Sequence, residues 1–443
     1  MLTKWLHRIL ISVGALLCPV LVLLVIHLPI FDERLLPEVK ALTQMPELPP
    51  PQNNIYFTLL GLHAPEGADP NTLGQQIIEN YQQTAGYPIV AIDFDTPEEP
   101  WREQYQFLIC HQRENNDCER QIREGMRENP LTDARLILLL KRYSALIANQ
   151  NIVYVSPVPV SVHNPALSYT LIMNLQRIQL ANALTNESDD VFFQLALVDL
   201  HFWRDMLRQS NSFVDKMIST SAISNVLSNI SQRIKNSATL DSFYINHISV
   251  ELTNLSLEEY SFYGAFKGEA QFAASTQMSF NNDSLNFNSP SLLMHENATL
   301  NYLYRYNYAP SISLSQLTPK HFHDKVDPCL DAAGTAESKC LSPELAHGFG
   351  ISSFYNILGK LMIDISSTPY SNYLARVYDL NGLINLIKLQ AELKMPSDIS
   401  INERISQSRF TNPYTDLPFE LSNDKLSVSF KCLGDKPICH VKL

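Results

Sequence analysis

From Ile9 to Phe31 the chain carries no acidic or basic side chain other than His27. These 23 residues, rising about 1.5 Å each in a helix, match a hydrocarbon core of roughly 30 Å. Such a run constrains the chain more than any other feature, because it fixes the compartment of everything that follows. Lys4, His7 and Arg8 precede it, whereas Asp32 and Glu33 follow it. The positive-inside bias therefore predicts a cytoplasmic tail at 1–8, a single transmembrane anchor at 9–31 and an exported remainder. The rival reading is a cleaved signal peptide, suggested by the N-terminal position and by Pro19. Against it, the run exceeds the roughly 7–15 residues of a signal h-region, and no A-x-A-like cleavage site follows. Cys18 does not indicate lipidation, since Leu17 stands where a lipoprotein signal has a small residue.

The other six cysteines lie beyond the apolar run, in three local pairs: Cys110 with Cys118, Cys329 with Cys340, and Cys432 with Cys439. An even count in local pairs fits an oxidising compartment. The spacings are not the C-x2-C steps of zinc knuckles or thioredoxin-like motifs, so structural disulfides are expected. Residues eight apart on an unbroken helix lie about 12 Å apart, beyond the roughly 7 Å Cα limit of a disulfide. A helix break is therefore expected near Glu114–Asp117.

With 443 residues and 45% hydrophobic content, the chain can fill a sizeable core. A net charge of −12 leaves no electrostatic footprint for nucleic acid. Residues 32–54 hold Pro37, Pro46 and Pro49 to Pro51 and read as a semi-rigid, polyproline-like stalk. Beyond it, helical periodicity dominates. NTLGQQIIENYQQ reads as a short helix, and LTDARLILLLKRYSALIANQ, LSYTLIMNLQRIQLANALT, DVFFQLALVDLHFWRDMLRQ and DKMISTSAISNVLSNISQRI as longer ones. Short polar links such as TNESD predict antiparallel helical hairpins, and Ser256 with Glu259 forms a capping-box signature. The prolines and cysteines of 311–345 predict an irregular connection between a helical domain at 55–310 and a C-terminal helical subdomain at 346–443. In the latter, Tyr373, Val377, Leu380, Ile384, Ile387 and Ala391 step by four and three, the seam spacing of a packed helix. PFELSNDKLSVSFKC sets Leu426, Val428 and Phe430 on one side of a short β-hairpin ending at the last cysteine pair. The expected fold is mainly α: anchor, stalk, helical extracytoplasmic body and small C-terminal hairpin.

Several segments together resemble a family of uncharacterised single-pass envelope proteins of Gram-negative bacteria. They are NNIYFTLLGLHAPEGADP after the anchor, RYSAL, LVDLHFWRDML with DKMIS, HENATLNYLYR, NILGKLM, YLARVYDLNGLINLIKLQAEL and NPYTDLPFEL. The resemblance covers most of the exported chain and implies an inner-membrane protein with its body in the periplasm, without implying an activity. The NPYTDLPF tail is also similar to the DP-[FY]-T-G-x-P turn of pilin-like proteins, with Asn412 and Asp416 replacing Asp and Gly. No prepilin-like cleavage site with a following Glu precedes the apolar helix.

Chemical signatures are sparse. His321, His323 and Asp324, with His347 downstream, have the donor types for Zn²⁺ or Cu²⁺. His-x-His needs a strand to put both rings on one face, so a polar surface loop is expected and no metal or other cofactor is assigned. There is no G-x-S-x-G elbow, and GFGISS is too short a match for a phosphate loop. His201, on an apolar helix beside Trp203 and Arg204, reads as a buried hydrogen-bonded histidine, and Asp189–Asp190 as helix N-terminal charge. The sequons at Asn186, Asn229, Asn254, Asn282 and Asn297 read as chance products of an Asn- and Ser-rich chain. Catalytic residues are not identifiable. The function expected is a non-enzymatic interaction or scaffold component of the envelope that binds another envelope protein. The alternative is a periplasmic hydrolase or metal-dependent enzyme whose residues converge only in space. A ligand-sensing role would have to signal through a membrane partner, since the eight-residue tail holds no output domain.

Overall fold

The computed structural model describes residues 5, 21–22, 25–83, 101–108, 118–149, 152–161, 164–165, 167–237, 242–282, 293–329, 355–366, 370–434 and 439–443. Residues 9–20, 23 and 24 of the expected anchor lie outside these. Among the described residues no helix is long and apolar enough to cross a membrane. The end of the apolar run is not a continuation of a straight helix. Pro29–Phe31 forms a 3-10 turn, as suits a proline, which has no N–H to give to a preceding helical turn. This end is clamped to the body. His27 stacks on His295 with centroids 5.5 Å apart, His295 stacks on Tyr355 at 4.8 Å, and Tyr355 Oη donates to Phe31 O at 2.8 Å.

The expected stalk is corrected in the same way. Asp32 accepts the Asn297 and Ala298 N–H groups at 3.1 and 3.0 Å, in the first turn of the helix that begins at Glu296. Asn301 reaches back to Glu33 Oε2 and Arg34 O, and accepts from Leu36 N. Pro37 then opens helix α1 (Pro37–Thr43), which buries Val39 and Leu42. Local polyproline preference is weak. Proline at the first helical position costs nothing, and two apolar side chains three apart gain more by packing than by staying in water. Residues 32–54 are therefore a belt on the body.

Asn54 caps α2 (Ile55–Leu60), and α3 (Pro70–Gln83) follows. The turn between them is held by Arg142, which donates to Leu62 O, Pro65 O and Ala68 O. Next come α4 (Cys118–Glu128) and α5 (Ala134–Ile147), the latter capped by Asp133 on Leu136 N at 2.7 Å. The expected break at Glu114–Asp117 lies outside the described residues. Three long helices follow: α6 (Tyr169–Asn186), α7 (Asp189–Arg208) and α8 (Phe213–Asn236). Asp189 pairs with Arg233 at one end of α7 and Leu207 O accepts from Lys216 at the other, so α7 and α8 run antiparallel as the short links require.

After α9 (Ser242–Glu251), the capping box of Ser256 and Glu259 forms, but it opens only the single turn α10 (Leu257–Tyr260). The Glu259 and Ser261 carbonyls turn instead to Lys216 Nζ, each at 2.8 Å, and the chain restarts as α11 (Tyr263–Asn282). Then come α12 (Glu296–Leu303), α13 (Ala309–Leu314) and α14 (Pro319–Val326), the last capped by Thr318. The stretch from 311 to 326, expected as irregular, is thus largely helical, and 330–345 lies outside the described residues.

Helix α15 (Ile357–Ser366) precedes α16 (Tyr370–Lys394), and α17 (Ile401–Gln407) follows. Every residue of α16 from Val377 to Ala391 is buried, so it is a central helix, wider in its contacts than a two-sided seam. It runs parallel to α8: Gln390 donates to Ser231 O and Lys394 to Lys235 O. One contiguous apolar core reaches from Leu42 to Val441 and passes through α16, so the segment at 311–345 does not separate two cores. The C-terminal β-structure is a three-stranded antiparallel sheet, β1 (Glu420–Leu421), β2 (Ser427–Ser429) and β3 (His440–Lys442), with Val428 opposite Val441. Its third strand lies beyond the last cysteine, where a two-stranded hairpin was expected. Val428 and Phe430 are buried while Leu426 is exposed in the turn. Phe430 lies over Gly382 of α16, where any Cβ would come within 2.1 Å of the ring.

Candidate functional site: a cationic cleft on the central helix

Asn381, Asn385 and Lys388 step by four and three along α16 and so share one face of it. They line a cleft of about 710 Å³ closed by the segment at 254–260, the start of α14 and the loop at 409–416. Each wall is fixed by polar contacts. Arg204 grips Glu259 through both oxygens, at 2.6 and 2.9 Å, and also donates to Thr253 O and Asn254 O. Burial pushes the Glu259 carboxyl up, but Arg204 and the Ser256 capping bonds outweigh it and hold its pKa below the usual range. Asn381 Oδ1 accepts from Leu255 N at 2.8 Å, and Asn385 Nδ2 donates to Thr411 O at 2.9 Å. Behind them Tyr260, Tyr378 and Phe322 stack, with successive centroids 4.3 and 3.9 Å apart. Tyr260 Oη is buried with no hydrogen-bond partner among the described residues.

Two cations dominate the cleft. Lys388 is only 8% exposed and Arg409 is exposed at the cleft, their charged heads 5.7 and 4.9 Å from the centroid of the Phe410 ring. Neither has a hydrogen bond or ion pair among the described residues. Burial lowers the Lys388 pKa, and the like charges of Arg409 and Arg204 lower it further. At the rim Lys320 is neutralised by Asp416 at 2.6 Å. Asp416 sits at φ 60, a left-handed conformation that favours glycine, which is the residue of the pilin-like turn at this place. The cleft therefore presents uncompensated positive charge in a chain of net charge −12. A buried cation without a counter-charge costs free energy, and an anionic ligand group would remove that cost.

The residues singled out in the sequence lie elsewhere. Cys432 and Cys439 form a disulfide with Cα atoms 5.9 Å apart. Cys110, Cys340, His347 and the GFGISS stretch at 348–353 fall outside the described residues. Asp379 adjoins both sulfurs, yet its carboxylate already accepts Tyr414 Oη, Leu433 N and Gly434 N. Disulfide sulfurs are not thiolate ligands, so this cluster anchors the C-terminal loop to α16. His321, His323 and Asp324 lie on helix α14 and not in a loop; alternate helical residues diverge, and His321 bonds to its own cap, Thr318. His201 is exposed, 3.5 Å from Glu251, correcting the buried reading. The buried partner on that helix is Trp203, which donates to Tyr143 Oη at 3.0 Å. Asp189 does open α7, with the added task of pairing with Arg233.

Sequence reasoning missed Lys388 and Arg409. The available signal was the set of two asparagines and a lysine stepping by four and three inside the otherwise apolar DLNGLINLIKLQ. No family model matches the chain, and no match was found among curated proteins or solved structures.

Proposed function

We propose that this is a membrane-anchored envelope protein of the bacterial inner membrane, with its body in the periplasm, which works by binding and takes up an anionic group of its partner in the cleft beside α16. The observation that carries this reading is the pair Lys388 and Arg409, two cations near the Phe410 ring with no counter-charge among the described residues, in a cleft large enough for a ligand group. Carboxylate and phosphate are the groups that fit, since guanidinium and ammonium bind both by charge-assisted hydrogen bonds. The asparagine amides add neutral donors and acceptors. The anchor reading is supported by the apolar composition of 9–26, and the exported location by the Cys432–Cys439 disulfide. The lowered pKa of Lys388 favours the alternative of an enzyme that uses this amine as base or nucleophile. Binding is preferred because the carboxylate that lines the cleft among the described residues, Asp416, is already held by Lys320.

Crosslinking in intact membranes, followed by mass spectrometry of the recovered neighbours, tests the proposal. The wild type should give one dominant envelope partner. Lys388→Met with Arg409→Gln should reduce its recovery about tenfold or more, as expected when charge-assisted hydrogen bonds of ~1.5–3 kcal/mol each are lost. The same double variant should melt at or above the wild-type temperature, because it removes a buried uncompensated charge. Undiminished partner recovery by a variant that accumulates normally would refute the assignment of the cleft.

A further inference from the structure

Helix α15 is apolar on the side it turns away from the protein. Asn356, Gly359 and Ile363 face inward: the Asn356 amide holds His295 N and Thr299 Oγ1, and Gly359 lies so close to Thr299 that a Cβ would come within 2.0 Å of its hydroxyl. On the opposite side Ile357, Leu361 and Ile365 step by four and are 40, 51 and 77% exposed, with Met362 beside them. A surface helix of a water-facing protein carries polar residues there. The charged groups within α15, Lys360 and Asp364, sit one turn apart along an edge of the stripe, and Asp364 is held by Tyr302 Oη at 3.1 Å. A second apolar set, Leu28, Ile30 and Phe31, is also exposed. Both sets flank one clamp, because Tyr355, two residues before α15, donates to Phe31 O and stacks on His295.

We infer that the outward face of α15, together with Leu28, Ile30 and Phe31, is seated in the headgroup layer of the lipid bilayer. This rests on the anchor reading. The occupant follows from where the chain enters the body: the apolar residues 9–25 run directly into the clamp at Ile26–Phe31, where His295 Nε2 lies 2.9 Å from Ile26 O. The belt at 32–54 supplies no spacer, since Asp32, Glu33 and Leu36 are already bonded to α12. The surface beside the exit must then meet the membrane that the anchor enters, and an exposed helical apolar stripe is what an interfacial segment presents there.

The full-length protein reconstituted into vesicles of phosphatidylethanolamine and phosphatidylglycerol provides the test. Photoreactive benzoylphenylalanine is placed at Leu361, at Ile365, or at Val250, an exposed apolar position on α9, and each preparation is also extracted with alkaline carbonate. The expected result is retention in the membrane and several-fold more lipid adduct at 361 and 365 than at 250, with melting temperatures unchanged from the wild type. Retention without excess lipid adduct overturns the bilayer-seated face while leaving the anchor standing. Adducts to the chain's own N-terminal segment or to a second copy overturn it equally, by naming a different occupant. Release by carbonate refutes the anchor, and the inference falls with it.

Discussion

Asp199 lies on α7 in full burial, its carboxylate accepting from Tyr143 Oη at 2.5 Å and Gln176 Nε2 at 2.9 Å, while Trp203 completes the chain of bonds through Tyr143. Burial raises its pKa to about 7 against these donors, and burial does the same to Asp215, which is held by Asn211 N and Tyr169 Oη. Between about pH 4, where an unfolded Asp titrates, and about pH 7, the folded chain keeps protons that the unfolded chain has released. Stability from these groups is therefore complete below about pH 4, falls as pH rises to about 7, and is level above. Asp199→Asn should flatten part of that slope, which urea unfolding at pH 5 and pH 7 can measure; an unchanged difference between the two pH values would count against the raised pKa. Lys216 is a different case. Burial lowers its pKa to about 7 and Glu259 opposes this, while three carbonyls at 2.8 Å match the three N–H bonds of the ammonium form. Such fully satisfied buried groups specify the fold, whereas buried Lys388 and exposed Arg409 have no ion-pair partner among the described residues and are the groups proposed to meet a ligand.

The belt and the central helix show how tertiary contacts overrule local preference at the scale of elements. Proline content made 32–54 read as a stalk, but the packing of Val39 and Leu42 and the bonds of Asp32 and Asn301 hold it down. Leu42→Ala should therefore cost ~2–5 kcal/mol of folding stability, the usual range for truncating a buried leucine. A stalk would lose almost nothing, so a denaturation midpoint equal to that of the wild type would restore the stalk reading. In α16, the spacing of Val377, Leu380, Ile384 and Ile387 marks one packed face. The other faces are covered by the segment at 254–260, the C-terminal sheet and α8, from parts of the chain far from it in sequence. Periodicity read along one helix cannot register such neighbours.

At the scale of the whole molecule, the end of the apolar run at Ile26–Phe31, the start of the belt and α15 converge around His295 and Tyr355. The reading as an exported protein predicts that a reporter active only in the periplasm, fused after Leu443, will be active. Activity of a cytoplasmic reporter at that position would remove the oxidising compartment and with it the rationale for the Cys432–Cys439 disulfide.

The sequence by itself determined the helical class, the capping box of Ser256 and Glu259, the antiparallel α7–α8 pair and the local Cys432–Cys439 pairing. Each of these depends on residues near one another in the chain, where apolar spacing and short-range hydrogen bonds act directly. Only the tertiary structure decided that 32–54 is a belt, that α16 is buried on all sides, that His201 is exposed, and that Lys388 meets Arg409. Those outcomes depend on which distant segments compete for the same surface, as when the loop at 409–416 comes to lie over residues 381–388 and brings Arg409 near Lys388.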